Sequence, residues 1–316
     1  MRISVALVGV IDRSGRGKMT YDYFLPPFEK TLAGLGVQIR HYSYRDFILF
    51  GQEHDAAILL YSEEYASKNL HRWNTLVEAE QAAKKRGTAI VIHPTLIGRI
   101  VADKTLTNNA LSSAGIEMPK RVTGAVATFK VFSNLNMDTH APTYVVAPRL
   151  PLDPTRYNTQ WIDARHEYKG RNYYVMLRAM AVGRRCLSVF VRCRPVEQGD
   201  ASVHSADTPI DADLLNFFYT TIVIPQMSAI ESLCEKIANV LGLGFFSHDI
   251  LPERETGRLL VCETGFKFND YLYRTNLMQL AGQLAADEFL SDRFPAHSAE
   301  LFAGELKTAL GNISPR

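Results

Sequence analysis

The sequence has little of what marks a secreted, membrane-embedded or nucleic-acid-binding chain. Only four of its 316 residues are cysteine (Cys186, Cys193, Cys234 and Cys262), and none forms a CxxC pair or another metal-binding spacing. Cys186, Cys193 and Cys262 lie in apolar, strand-like runs, where a cysteine acts as a small buried hydrophobe; all four are expected to be reduced. The formal net charge is +2, so no global field draws the chain to nucleic acid or to a membrane. No apolar run reaches the ~18 residues of a membrane span. The first one ends at Ile11, before Asp12 and Arg13, with no small-residue cleavage site. A cytoplasmic location is therefore predicted. Internal repeats, low-complexity tracts and charge runs are absent as well. The segment SGRGK has the look of a phosphate loop, but the glycine and the Ser/Thr that such a loop requires are replaced by Asp12 and Met19.

What is present is a globular composition: 47% hydrophobic and 22% charged residues, enough to bury a sizeable core. The length predicts two or three packed units rather than one. Over residues 1 to about 95, strand-like runs (ISVALVGV, VQIRHYSY, AAILLYS, TAIVIH) alternate with helical periods, one carrying Phe28, Leu32 and Leu35 and another spanning Leu70 to Lys85. Strands alternating with helices predict a doubly wound parallel sheet, with a ligand at the C-terminal strand ends. There the loop bearing Arg13, Arg16 and Lys18 offers charge for a carboxylate or phosphate. Next come a helix over 101–114 closed by Gly115, then β-rich runs (YVVAP, YYVMLRAM, CLSVFVRC), with a polar stretch at 150–172 between the first two. Helices around 211–220 and 226–241, two strands (GFFSHDIL and RLLVCETG) and a helical tail complete the chain.

Three segments, in order, resemble the ATP-grasp superfamily, most closely its D-alanine–D-alanine ligase and related carboxylate–amine ligase branch. DKTLTNNALSSAGIEMP (103–119) is similar to the segment that leads into the nucleotide-binding lobe, where Lys104 would reach ATP phosphates. LGLGFFSHDILPERETGRLLVCETG (241–265) is similar to a two-strand unit whose strands end in metal-binding carboxylates, here Asp249 and Glu263. Two neighbouring carboxylates suit magnesium, a hard cation that takes oxygen ligands and leaves positions for phosphate. YVVAPR (144–149) resembles a phosphate-binding strand, and 173–191 resembles the hinge strand beside adenine, with Met176, Leu177, Arg178 and Ala179 as nucleotide contacts. The resemblance implies an N-terminal Rossmann-like domain (1–100), a central nucleotide-binding lobe (101–196) and a C-terminal lobe with the metal site (197–316), an α/β protein with a two-lobed α+β ATP-grasp unit.

The same comparison exposes departures. Ala147 stands where the lysine before Pro148 is expected, with Arg149 two positions on. Arg178 stands for a hinge acid, Arg184 or Arg185 for a second acid, and Gly265 for an asparagine. Arginine forks suit phosphate, so Arg149 and Arg185 are catalytic candidates together with Lys267, and Asn269 is a substitute metal ligand. The implied activity is ATP- and Mg2+-dependent joining of a small-molecule carboxylate to an amine through an acylphosphate, by a chain that forms a homodimer. The rival readings are a protein of the same shape that has lost catalysis and binds a nucleotide or other anion, and a phosphotransferase. Without the resemblance, Lys104 is a helix lysine, Asp249 caps a turn, the arginines are strand-face charges, and Met176 and Leu177 are core.

Overall fold

The computed structural model describes residues 2–9, 18–63, 65–137, 143–199, 203, 207–266, 271–286 and 288–313. Its first part contains β1 (Ile3–Val8), α1 (Lys18–Gly34), β2 (Val37–Tyr42), α2 (Tyr44–Phe50), β3 (Ala56–Leu59), α3 (Tyr65–Lys68), α4 (Leu70–Lys85) and β4 (Ile90–Ile92). All four strands are parallel, in the order β2-β1-β3-β4. Alternation along β1 explains how both faces are covered. Ile3, Val5 and Leu7 pack in a cluster with Phe28 and Leu32 of α1, whereas Ala6 and Val8 pack with Phe47 of α2 and Ala79 and Ala83 of α4.

Two helices follow, α5 (Thr95–Ala102) and α6 (Lys104–Ser113). The single helix expected over 101–114 is broken at Asp103, which leaves the helical conformation (φ −110°, ψ 110°) and whose carboxylate accepts from the Leu106 amide. A side-chain oxygen that satisfies an orphan amide of the first turn favours a fresh helix start there. The chain then forms β5 (Val131–Asn134), β6 (Tyr144–Val146) and β7 (Tyr157–Gln160), a small antiparallel sheet in the order β6-β5-β7. The polar stretch at 150–172 thus carries β7 and also β8 (Arg165–Tyr168). Its polarity hid the strand: β7 buries Asn158, whose Nδ2 donates to Asp153 O at 2.8 Å.

β8 opens the large sheet, which continues through β9 (Arg171–Val182) and β10 (Arg185–Pro195). After the helices α7 (Ala212–Phe218) and α8 (Ile224–Leu241), joined through one π-turn at Tyr219–Val223, come β11 (Phe245–Pro252) and β12 (Leu259–Gly265). The sheet is antiparallel, ordered β10-β9-β11-β12, with β8 beside the start of β9. Two helices end the chain, α9 (Tyr271–Leu277) and α10 (Arg293–Gly311). At the β9–β10 turn, Gly183 (φ +53°) has Glu305 of α10 so close that a Cβ would lie 2.7 Å from its carboxylate. Aromatic side chains join the parallel sheet to this lobe: Phe28 meets Phe302 and Phe245, and Phe24 meets Phe294, at centroid separations of 5.8–6.1 Å. His93, just after β4, accepts a 2.8 Å hydrogen bond from the Phe245 amide and stacks on Phe266 at 4.2 Å.

Candidate functional site

The antiparallel registers bring three charged residues into one row across the large sheet. Arg178 of β9 lies opposite Asp249 of β11, and Asp249 lies opposite Glu263 of β12. Directly opposite residues project to the same face, so Arg178, distant in sequence, shares one neighbourhood with the two acids. The pairing of β11 with β12 slips between Asp249 and Ile250, where Cys262 is the extra residue. Such a bulge re-aims its neighbours. Here it places the Cys262 thiol so that it donates to Asp249 O at 3.3 Å. Burial, followed by the nearby Asp249 and Glu263 charges, raises that thiol well above its ordinary range, so it remains protonated.

Asp249 is not waiting for a ligand. Arg178 donates Nε to Oδ1 at 2.6 Å and Nη2 to Oδ2 at 2.7 Å, a two-pronged ion pair whose side chains are only 7% and 10% exposed. This is the strong geometry for arginine and carboxylate. Magnesium at Asp249 and Glu263 therefore faces an obstacle. Both Asp249 oxygens are engaged by a cation, and among the described residues no group of three or more His, Cys, Asp or Glu side chains could hold a metal. As arranged, these residues do not fit a divalent ion.

The third ligand position explains itself sterically. Gly265, which stands where asparagine was expected, ends β12 against the buried Glu63 of the loop after β3. A Cβ at 265 would lie 2.9 Å from Glu63 Oε1. A longer side chain there would have to displace the end of the Glu63 side chain.

On the far side of Glu263, α6 presents an unusual buried stripe. Lys104, Thr107, Asn108 and Leu111 are its buried residues, at the i, i+3, i+4, i+7 spacing of one helix face, yet three of the four are polar. Asn108 Nδ2 donates to Tyr157 Oη at 3.0 Å and to Pro119 O at 3.1 Å. Burial pushes the Tyr157 phenol up to about 12, and the nearby Glu263 charge acts in the same direction. That coupling puts β7, α6 and the carboxylate row in one region. The N-terminus of α6 is fixed to the loop after β5, with the Lys104 amide donating to Asn136 O and the Thr105 amide to Asn136 Oδ1.

The remaining expected residues are dispersed. Met176, Leu177 and Ala179 are buried within β9, which lies inside the large sheet; the chain passes from the small sheet to the large one at 161–164, ahead of the segment expected as a hinge. Arg149 is exposed with φ +70°, and Arg185 is exposed at the start of β10. Lys267, Asn269, Arg13 and Arg16 lie outside the described residues, as does the side chain of Lys18. Glu63, Asn108 and Tyr157 were not anticipated. The polar stripe of α6 was the available signal for Asn108, whereas Glu63 and Tyr157 are brought in by pairings that no local pattern announces.

No sequence profile of a known family matches the chain, and no curated protein matches it. Solved structures do. The chain is similar to the D-alanine–D-alanine ligase of Bacillus anthracis (TM-score 0.52, 14% identity, covering 98% of each chain). It is also similar to the D-cycloserine synthetase DcsG (TM-score 0.53, 12% identity, 96% of this chain and 99% of that one). A third likeness is to the ATP-grasp ligase PsnB complexed with its minimal precursor (TM-score 0.53, 11% identity, 98% and 99%). Identities this low speak for fold and not for substrate. No described helix is long and apolar enough to cross a membrane. Carried along nearly the whole length of the chain, the resemblance first seen in three short segments holds in three dimensions: this chain has the ATP-grasp fold.

Proposed function

We propose that this chain is an ATP-dependent ligase that joins a small-molecule carboxylate to an amine. The observation that supports the reading is the register that sets Asp249 opposite Glu263, beside the helix that presents Lys104 and Asn108 on its buried face. In this reading the carboxylate oxygen of the first substrate attacks the γ-phosphorus of ATP and ADP leaves. The amine nitrogen then attacks the acylphosphate carbonyl, phosphate departs and the nitrogen loses a proton. Such chemistry asks the protein for position and for neutralisation of phosphate charge. Lys104 at the start of α6 supplies that charge, and Arg178 exchanges Asp249 for phosphate oxygens as the nucleotide enters. Arg149, which stands in for the lysine missing before Pro148, is in this reading a second cation for the phosphates.

A second reading has its own support. The grip of Arg178 on Asp249, with Ala147 and Gly265 in place of lysine and asparagine, favours a protein that binds a nucleotide or other anion without turnover. A screen for ADP release with amino acids and other small carboxylates, offered in pairs with amines, separates the two. ADP formed only when both partners are present supports the ligase. Calorimetric ATP binding with no ADP release from any pair would replace it with the binder.

A further inference from the structure

We infer that the guanidinium of Arg178 is the resident cation of this site, and that the nucleotide-free protein therefore excludes divalent metal ions from Asp249. The inference rests on geometry alone. Asp249 is 7% exposed and Arg178 is 6% exposed, so neither charge is screened by bulk water. Each Asp249 oxygen accepts one nitrogen of the fork. The row Arg178–Asp249–Glu263 runs plus–minus–minus, and only its outer carboxylate belongs to a residue that is not deeply buried. A metal ion entering between the carboxylates would meet a guanidinium held within hydrogen-bond distance of its first ligand. It would have to break a two-pronged ion pair whose removal from water has already occurred.

Replacing a metal with an internal arginine has a chemical consequence. Metal binding in the free protein and charge neutralisation of Asp249 become alternatives, so a divalent ion gains access only with a partner that draws Arg178 away, such as a polyphosphate. This holds whether the chain turns ATP over or merely binds it. Its failure would leave the ligase reading stronger, and failure of the ligase reading would leave it untouched.

The test uses the full chain without nucleotide. Mn2+ binding is followed by loss of the free-ion electron paramagnetic resonance signal, and thermal unfolding is recorded with and without MnCl2. Wild type is expected to bind no Mn2+ at Asp249, its melting temperature unmoved by the ion. Arg178→Met strips the charge and retains much of the stem; it is expected to melt lower than wild type and to regain melting temperature when Mn2+ is added. Arg178→Met/Asp249→Asn should lose that response. Mn2+ binding by wild type that disappears in Asp249→Asn would overturn the inference without any need for the Arg178 variant. An Arg178→Met protein that folds but is indifferent to Mn2+ would overturn it equally.

Discussion

The two main sheets of this molecule bury their residues on opposite terms. In the parallel sheet every residue of β3, Ala56 to Leu59, is buried and apolar, and Val5, Ala6, Leu7 and Val8 of β1 are likewise. In the large antiparallel sheet Arg178, Arg192, His248 and Asp249 are buried among apolar neighbours. The first pattern is what area removed from water favours. The second is not, because buried ion pairs recover their desolvation only with excellent geometry. The charged residues inside the large sheet are therefore kept against the preference that shapes the parallel sheet.

The comparison breaks most visibly at Arg178. Arg178→Ala leaves Asp249 buried beside Glu263 without its counter-ion and is expected to cost about 3–5 kcal/mol in urea unfolding. Replacing both members, as Arg178→Met/Asp249→Leu, should recover most of that loss, which would show that the pair is retained for reasons other than stability. A smaller effect belongs to the contact between the two regions. Burial lowers the pKa of His93 to about 3, while its Nε2 accepts from the Phe245 amide. The unfolded chain therefore binds the proton more readily. The contribution is intact above the unfolded value of about 6.5 and is lost as pH falls toward 3, roughly 2 kcal/mol of it by about pH 5. Unfolding free energies of wild type and His93→Gln across that window should diverge in slope, the variant being flatter; parallel slopes would remove His93 as the cause. The smallest expected change is at the break between α5 and α6. Asp103→Ala removes the cap on the Leu106 amide and should cost about 1 kcal/mol by the same measurement. It should also weaken ATP binding if Lys104 meets phosphate.

How much of this was legible in the sequence follows the range of the interactions. Periodicity is local, so β1, β3, α4 and the paired strands around Asp249 and Glu263 could be read from spacing. The hairpin carrying the two acids was within reach because its partners are only 14 positions apart in sequence. Arg178 was not. It stands 71 positions from Asp249, and no pattern along β9 tells whether an arginine faces a nucleotide or a carboxylate on the neighbouring strand. β7 escaped for another reason: it buries Asn158 and Thr159 side by side, and polarity without alternation reads as a loop. Glycine at 265 was visible as an anomaly, but its explanation lay in Glu63, some two hundred positions earlier.

That last approach ties together pieces of the molecule that the chain keeps far apart. The strand that ends at Gly265 also carries Glu263, and the acid resting against it belongs to the loop leaving the parallel sheet. A side chain added at 265 would therefore be felt twice, by the acid it displaces beside one sheet and by the short strand that holds Glu263 in the other.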